Sequence, residues 1–346
     1  MTITRRALGW LAMLGVAFTP AAARAQARWQ DSQAVKELYE KAKAEGTVTF
    51  WGTQLREVQW IPKAFAAEFP GIDVKAVGDN NIATTAIAEA RGGRHQVDVF
   101  WHSLSGTAPL VERDLIARTS WSDFGVAGAN TFADGRLGMT NTMVYAFMYN
   151  TKLADRSLLP KTWADVLDPR LKGKMVVSDF LVPRLTGSLV FSMGEDKAKS
   201  VARSVRDKMD VLLTRAPREP IVQAGERTYS MVELDQQVRL WMSEGLSVDY
   251  VVPEPVTASQ FVASVLSKAP HPNAARLLAG WLASDEGKAA REKAIFTADY
   301  RPGSKSPLAQ KLLATGVSIN FDDLSQVGER NRYFKEMAEI VSGQTP

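Results

Sequence analysis

Hydrogen-bonding residues follow an apolar run of the sequence at a point where they could meet a ligand. The run Val97–Trp101 is too short for a helix, and His102, Ser103, Ser105 and Gly106 follow it. Free backbone N–H groups at the start of a helix, together with the helix dipole, favour an anion. An ordinary helix cap needs the same residue types and is the competing interpretation. The pattern predicts a polar site at the exit of a buried strand.

A second β-rich run, Thr47–Trp51, has the same design, with Thr53 and Gln54 at its exit. The carboxyl ends of parallel strands are where ligands bind in α/β sheets, so the two exits are expected to face one crevice. Trp51 and Trp101 could stack there on an organic ligand, although aromatic residues at strand ends more often belong to the core.

Arg184 belongs to a further polar stretch that also contains Thr186 and Ser188. We predict a loop entering a helix here. A guanidinium beside helix-start N–H groups suits a carboxylate or a phosphate, and a solvated surface arginine is the alternative.

Tyr229, Glu233 and Asp235 form the last polar stretch, where ligand contact and a simple helix start are equal alternatives. Paired carboxylates could serve an exported hydrolase, but residues two apart on a helix do not share a face. The histidines show no metal-ligand spacing, and the sequence has neither a nucleophile elbow nor a phosphate loop. We therefore expect ligand contacts with no catalytic residue, metal site or cofactor.

Composition limits the class of protein. The chain has 346 residues, of which 45% are hydrophobic and 23% are charged, as in a globular protein of about two domains. Three arginines and no acid precede residue 26, which leaves a net charge of +1 of the total +4 for the rest. This balance argues against nucleic acid as a partner.

Residues 1–25 have the three zones of an export signal: Arg5-Arg6, an apolar stretch, and Ala23-Arg24-Ala25 as a cleavage pattern. The general secretory and twin-arginine routes both remain open, and an uncleaved anchor is the alternative. The chain has no cysteine, so disulfides and a lipid-modified cysteine are excluded. The expected product is a freely soluble periplasmic protein.

Strands and helices alternate in the first hundred residues, which calls for a parallel sheet with right-handed crossovers. The predicted strands are 47–51, 72–76 and 97–101, and the predicted helices are 33–46, 57–69 and 82–91. Beyond these we predict strands 142–149, 175–177, 227–232 and 248–252, and helices 163–167 (capped by Thr162), 195–212, 233–243 and 272–283. This order suggests two lobes between which the chain crosses more than once.

Seven passages carry a family resemblance that runs in order from about residue 46 to 300. They are Phe69–Val74, Asp98–Trp101, Tyr149–Thr151, Pro160–Lys174, Val222–Glu226, Lys268–Ala275 and Trp281–Gly287. Together they resemble a bacterial extracellular solute-binding protein of an ABC importer, in the branch that includes the ferric-iron-binding proteins.

The resemblance implies a type II-like periplasmic binding protein of two α/β lobes, each with a mixed, mainly parallel sheet. A small-molecule solute would be clamped between the lobes on hinge closure, and the closed, monomeric protein would deliver it to a membrane permease. Feeding a sensor kinase is a lesser alternative. The implied lobes are residues 26–142 plus 251–300 and residues 143–250 plus 301–346.

The sequence departs from the iron-binding branch at the ligand that defines it. That branch presents two adjacent tyrosines after the Val-x-x-Gly-Glu motif, whereas Arg227–Asp235 contains one tyrosine here. Ferric iron needs several anionic oxygen ligands. We therefore expect a small polar solute, organic or anionic, and keep ferric iron as the alternative.

Overall fold

The computed structural model of the protein describes residues 28–79 and 81–344. Within these ranges, no helix is both long enough and apolar enough to cross a membrane. The predicted export signal lies outside the described residues.

Helices and strands alternate through most of this part of the chain. The helices are α1 Gln33–Glu45, α2 Leu55–Val58, α3 Ile61–Glu68, α4 Ile82–Arg91, α5 Leu104–Val111, α6 Leu181–Met193, α7 Glu195–Lys208, α8 Glu219–Ala224, α9 Asp235–Ser243, α10 Pro272–Ala283, α11 Asp285–Ile295, α12 Pro307–Leu313 and α13 Val327–Ser342. The strands are β1 Thr47–Gly52, β2 Asp73–Gly78, β3 Val99–Ser103, β4 Thr131–Phe132, β5 Leu137–Asn150, β6 Met175–Ser178, β7 Leu212–Thr214, β8 Tyr229–Leu234, β9 Val248–Val251, β10 Val256–Val265 and β11 Ile319–Phe321.

The strands form a mixed sheet in the order β2-β1-β3-β10-β5-β8-β6-β7, with β11 on β10 and with β4 and β9 on β5. Strands β1, β2 and β3 pair in parallel, as the alternating pattern predicts. Every antiparallel pair in the described sheet involves β5 or β10. The predicted mixed α/β fold is confirmed, but β10 is absent from the prediction.

Strand β5 passes from one half of the sheet to the other. Its first part pairs with β10, where Val144 lies opposite Ala258, and its second part pairs with β8, where Tyr145 lies opposite Leu234. All fourteen residues of the strand are buried. One continuous strand therefore contributes to both halves, which we call the first and second lobes.

Each lobe has its own hydrophobic core, as a stable domain requires. The first-lobe core includes Phe50, Phe65, Trp101, Leu278 and Trp281. The second-lobe core includes Phe147, Trp163, Leu185, Val205 and Met337. A smaller cluster built on Val144, Val256, Ala258, Ala298 and Tyr300 lies at the junction.

The chain crosses this junction along three routes. The first is β5, the second is the link from β9 to β10, and the third runs from β11, which pairs with β10, to α13, which packs on α6 and α7 in the second lobe. The junction is therefore made of paired strands and short links.

Asp235 of α9 joins this helix to β5 and to the loop after α11 through buried hydrogen bonds. It is 0% exposed, and it accepts from the backbone N–H of Val144 (3.0 Å), the Tyr300 hydroxyl (2.6 Å) and the Arg239 guanidinium (2.6 Å). Arg239 also donates to the carbonyl of Phe296 at 2.9 Å. Burial and the neighbouring Asp235 raise the pKa of Tyr300 far above its ordinary value, so the hydroxyl remains a donor. The network fixes α9 against β5 and the loop after α11.

Two predicted helices are wrong in extent. The predicted helix 57–69 is interrupted between α2 and α3, because Pro62 has no N–H to donate to Val58 and its ring opposes a continuous helix. The predicted helix 195–212 ends at Lys208, because Asp210 has φ 47°, outside the right-handed helical region.

The predicted helix 163–167 is also wrong in type and in its cap. A short 3₁₀ turn, Asp165–Leu167, replaces it. The Asp165 carboxylate accepts from the backbone N–H groups of Lys161 (2.9 Å) and Thr162 (2.8 Å), so the acid and not Thr162 organises the turn.

We predict that Asp235→Ala lowers the free energy of unfolding by about 3–5 kcal/mol, because it leaves the Arg239 charge buried without its partner. Urea denaturation measures this change. The control is Asp285→Ala, which removes an exposed ion pair with Lys305 and is expected to cost less than about 1 kcal/mol. Equal losses for the two variants would contradict the importance of the buried network.

Candidate ligand-binding cleft

A cleft of about 670 Å³ lies where the two lobes meet. On the first-lobe side, Gln54 and Glu57 line it. The remaining lining residues come from β6, α6, the segment after β7, the β8–α9 corner and α13: Ser178, Asp179, Phe180, Leu181, Pro183, Arg184, Arg215, Arg218, Glu233, Leu234, Gln236, Gln237, Phe334 and Ala338. Its size and its position between lobes are typical of a small-molecule site.

The exit of β1 positions the first-lobe wall. A Cβ atom at Gly78 would come within 1.9 Å of the backbone nitrogen of Leu55, so only glycine lets β2 approach the start of α2 this closely. The Thr53 hydroxyl donates to Glu57 one turn further on. Glu57 is 8% exposed, and burial raises its pKa. The close packing of β2 and α2 thus places Gln54 and Glu57 at the cleft.

Arg184 lies on the second-lobe wall. The Ser178 hydroxyl accepts from the backbone N–H groups of Phe180 (3.3 Å) and Leu181 (3.1 Å), and α6 starts there. Arg184 is therefore in the first turns of a helix, and its predicted place in a loop is wrong. Its guanidinium stacks on the Phe180 ring, 3.5 Å from the ring centre, and donates to the Phe180 carbonyl at 3.3 Å.

Arg184 differs from the other two arginines of the cleft in having no acidic partner among the described residues. Arg215 pairs with Asp179 at 2.6 Å, and Arg218 holds Glu233 at 2.5 and 2.9 Å. Burial lowers the pKa of Arg184, but a guanidinium remains charged at neutral pH. The second-lobe wall therefore presents one uncompensated positive charge.

The end of β3 is arranged differently from the prediction. The strand runs on to Ser103 and passes directly into α5, without the predicted open loop. The Ser103 hydroxyl accepts from the backbone N–H of Gly106 at 3.2 Å, which makes Ser103 a helix cap. A Cβ atom at Gly106 would lie 2.0 Å from Nδ1 of His102, so this glycine makes room for the imidazole. Ser103, Ser105 and Gly106 do not line the cleft.

His102 is electrostatically coupled to the cleft although it does not line it. Burial, and to a smaller extent the positive charge of Arg184, lower its pKa from 6.5 to about 4. The imidazole stacks on Phe100 with a ring separation of 6.0 Å, and its Nδ1 accepts from the Ser103 backbone N–H at 2.8 Å. His102 is therefore neutral at pH 7 and close to Arg184.

Four more of the predicted residues lie away from the cleft. Trp51 packs, partly buried, against the cluster around Phe100. Thr186 is fully buried and donates to the Val182 carbonyl at 2.8 Å, while Ser188, also buried in α6, is 5% exposed. Tyr229 is 1% exposed in the second-lobe core, where its hydroxyl donates to the Asp155 carbonyl at 3.2 Å.

The two carboxylates considered for hydrolysis do not form a pair in the cleft. Glu233 is the first residue of the predicted helix 233–243, and that start is wrong. Glu233 belongs to β8, where its carboxylate accepts from Arg218 and from the Ser230 hydroxyl, and the helix begins at Asp235. Asp235 is enclosed in the junction network described above. Neither has the free carboxylate that a general acid or base needs.

Several lining residues are missing from the sequence prediction, among them Glu57, Arg218, Gln236, Gln237 and Phe334. Glu57 lies one helical turn after Thr53, and that spacing could have indicated it. Gln236 directly follows Asp235, in a stretch that the sequence already indicates. Arg218 and Phe334 reach the cleft through packing across long sequence separations, for which the sequence shows no local signal.

A cleft between two α/β lobes, lined by charged and amide side chains, defines the class of two-lobe solute-binding proteins. The family model described as "Bacterial extracellular solute-binding protein" matches residues 110–318, and the chain belongs to this family. Proteins of this kind bind solutes and are generally not enzymes, so the hydrolase alternative is not favoured.

Solved structures share this fold over most of their length. One is iron-bound HitA from Pseudomonas aeruginosa, which is 18% identical with a TM-score of 0.71 and is matched over 85% of this chain and 99% of its own. Another is a substrate-binding protein of an ABC transporter from Agrobacterium tumefaciens, which is 14% identical with a TM-score of 0.73 and is matched over 87% of this chain and 96% of its own. AfuA from Actinobacillus pleuropneumoniae with fructose-6-phosphate bound is 20% identical (TM-score 0.68, 85% and 98%). The comparison with curated proteins gives no match.

The described residues contain no group of three or more histidine and acidic side chains that could hold a metal ion. In the stretch that carries the tyrosine pair in the iron-binding branch, Tyr229 faces the second-lobe core.

We predict that His102 makes stability fall on acidification. Its folded pKa of about 4 lies below its ordinary 6.5, so between these values the unfolded chain binds more protons and unfolding becomes easier as pH decreases. His102→Gln should reduce the loss between pH 6.5 and 4 by about 2–3 kcal/mol.

Urea denaturation at a series of pH values measures this slope. The control His95→Gln, at a loop residue outside the cleft, should keep the wild-type slope. An unchanged slope in His102→Gln would show that His102 is not held in its neutral form by the fold.

Proposed function

We propose that this protein, the substrate-binding component of an ABC importer, acts in the periplasm and closes on a small organic anion. The observation that carries this proposal is Arg184, a guanidinium on the cleft wall that pairs with no carboxylate of the described chain. An anionic group of the solute would supply the missing partner. Arginine is well suited to this because its planar donors match carboxylate and phosphate oxygens.

We further propose lobe boundaries at residues 26–142 plus 251–300 and at 143–250 plus 301–346. The change of pairing partner between Val144 and Tyr145 within β5 supports the first boundary. The second-lobe packing of α13 supports placing the C-terminal residues there, while Ile319–Phe321 returns to the first-lobe sheet through its pairing with β10.

An ion pair between the two lobes is too weak to close the cleft without the solute. Arg56 of α2 meets Glu244, just after α9, at 2.5 Å, but their side chains are 38% and 47% exposed. Such exposed ion pairs contribute about 0–1 kcal/mol. Moving a two-state equilibrium from 1:99 to 99:1 takes about 5.5 kcal/mol of differential binding. A solute held by both walls would provide this difference, and the closed form would then be the one that a membrane permease accepts.

We predict that Arg184→Gln weakens binding of the anionic solute by roughly 10- to 100-fold, because it removes a charge-assisted hydrogen bond. The solute is identified by mass spectrometry after release from the denatured protein. Its affinity is then measured by calorimetry on both proteins.

Arg203→Gln is the matched control, since it changes an exposed arginine on α7 of the same lobe. The proposal fails if Arg184→Gln binds the solute as tightly as the control does. It also fails if the released solute is ferric iron.

A further inference from the structure

Glu57 presents an acceptor to the cleft that no group of the described chain satisfies. Its Oε2 accepts from the Thr53 hydroxyl, and no side chain or backbone group of the described chain donates to its Oε1. The residue lines the cleft and is otherwise buried. A carboxylate oxygen in this position is a site for a donor that the solute brings.

Arg291 lies close to Glu57 and is fully buried. Its guanidinium stands 4.6 Å from the ring centre of Trp101 and 5.3 Å from that of Trp60, and Nε, Nη1 and Nη2 have no hydrogen-bond partner. Burial lowers its pKa to about 9, which leaves it charged at neutral pH, and its charge lowers the pKa of Glu57 against the effect of burial. Arg291 thus favours the ionised form of Glu57 without donating a hydrogen bond to either of its oxygens.

The two walls therefore differ in sign. Glu57 gives the first-lobe wall a carboxylate with one free oxygen, and Arg184 gives the second-lobe wall a cation without a carboxylate partner. Gln54, Gln236 and Gln237 supply neutral amide groups to the same cleft. Two of these amides have a buried polar atom that lacks a partner: Oε1 of Gln236 and Nε2 of Gln237.

We propose that the solute is a small zwitterion, whose ammonium group binds Glu57 and whose acidic group binds Arg184. This inference rests on the proposed function and adds the cationic half of the solute. A simple anion would leave Oε1 of Glu57 enclosed without a donor when the lobes close, which is costly for a charged acceptor. A site built in this way rejects analogues that lack the hydrogen-bonding group.

The experiment compares three zwitterions with counterparts that lack the amine. The pairs are β-alanine and propionate, taurine and ethanesulfonate, and O-phosphoethanolamine and ethyl phosphate. Thermal shift and calorimetry on the full-length mature protein give the affinity ratio in each pair. We expect the wild type to bind at least one zwitterion more than about tenfold tighter than its counterpart, since each pair differs in the ammonium group.

Glu57→Gln should reduce this ratio toward one, because the amide keeps the shape of the side chain but loses the charge. Glu112→Gln, at an exposed acid after α5, is the control and should keep the wild-type ratio. The wild-type ratios give a result even if Glu57→Gln fails to fold.

If the probes without the amine bind equally or more tightly, and their binding still requires Arg184, the inference of a zwitterionic solute is wrong and the proposed function is unaffected. If no probe of either series binds, the solute released from the purified protein decides. A released organic anion without a basic nitrogen overturns this inference alone, whereas released ferric iron overturns both proposals.

Discussion

The continuity of β5 through both lobes is the constraint on which the rest of the structure depends. Its first part pairs with β10 and its second part with β8 and β9, so a single buried strand sets the relative position of two cores. Asp235 reinforces this junction, because its carboxylate holds the β5 backbone, Tyr300 and Arg239 together. The cleft lies beside this junction, and its shape depends on the relative position of the two lobes that β5 sets.

The charge distribution of the cleft follows from local packing on each side. On the first lobe, β2 packs tightly against α2, Glu57 of α2 lines the cavity, and the charge of Arg291 is buried close to it. On the second lobe, the Ser178 turn starts α6 and places Arg184 on the opposite wall. Two other arginines are neutralised by acids within their own lobe. The charges of Glu57 and Arg184 therefore remain available to a solute in the cleft.

Much of the fold could be predicted because it depends on local patterns. The three parallel strands of the first lobe and helix α1, with its Ser32 cap (3.3 Å to Val35 N–H) and its end at Gly46, follow from periodicity and turn residues. Strand β10 is missing from the prediction. Its position between β3 and β5 depends on pairing across long sequence separations, which a local pattern does not show. The two-lobe class was recognised from the order of seven short passages and agrees with the family match.

The candidate site was harder to predict than the fold. Gln54, Arg184 and Glu233 line the cleft, but Ser103 caps a helix and Tyr229 belongs to a core. Hydroxyl groups at strand exits serve caps and ligands equally well, and only the packing of the lobes separates the two uses. The partner of Arg218 lies 15 residues away and Arg291 is 234 residues from Glu57, distances at which sequence spacing carries no information.

The three crossings of the junction also have a mechanical consequence. Strand β5, the β9–β10 link and the β11–α13 link tie the lobes together at neighbouring points, through a sheet that β5, β10 and β11 share. A body tethered in this way can swing about the line of its tethers far more easily than it can slide or twist. The closure proposed above would therefore be mainly a rotation of one lobe about this line.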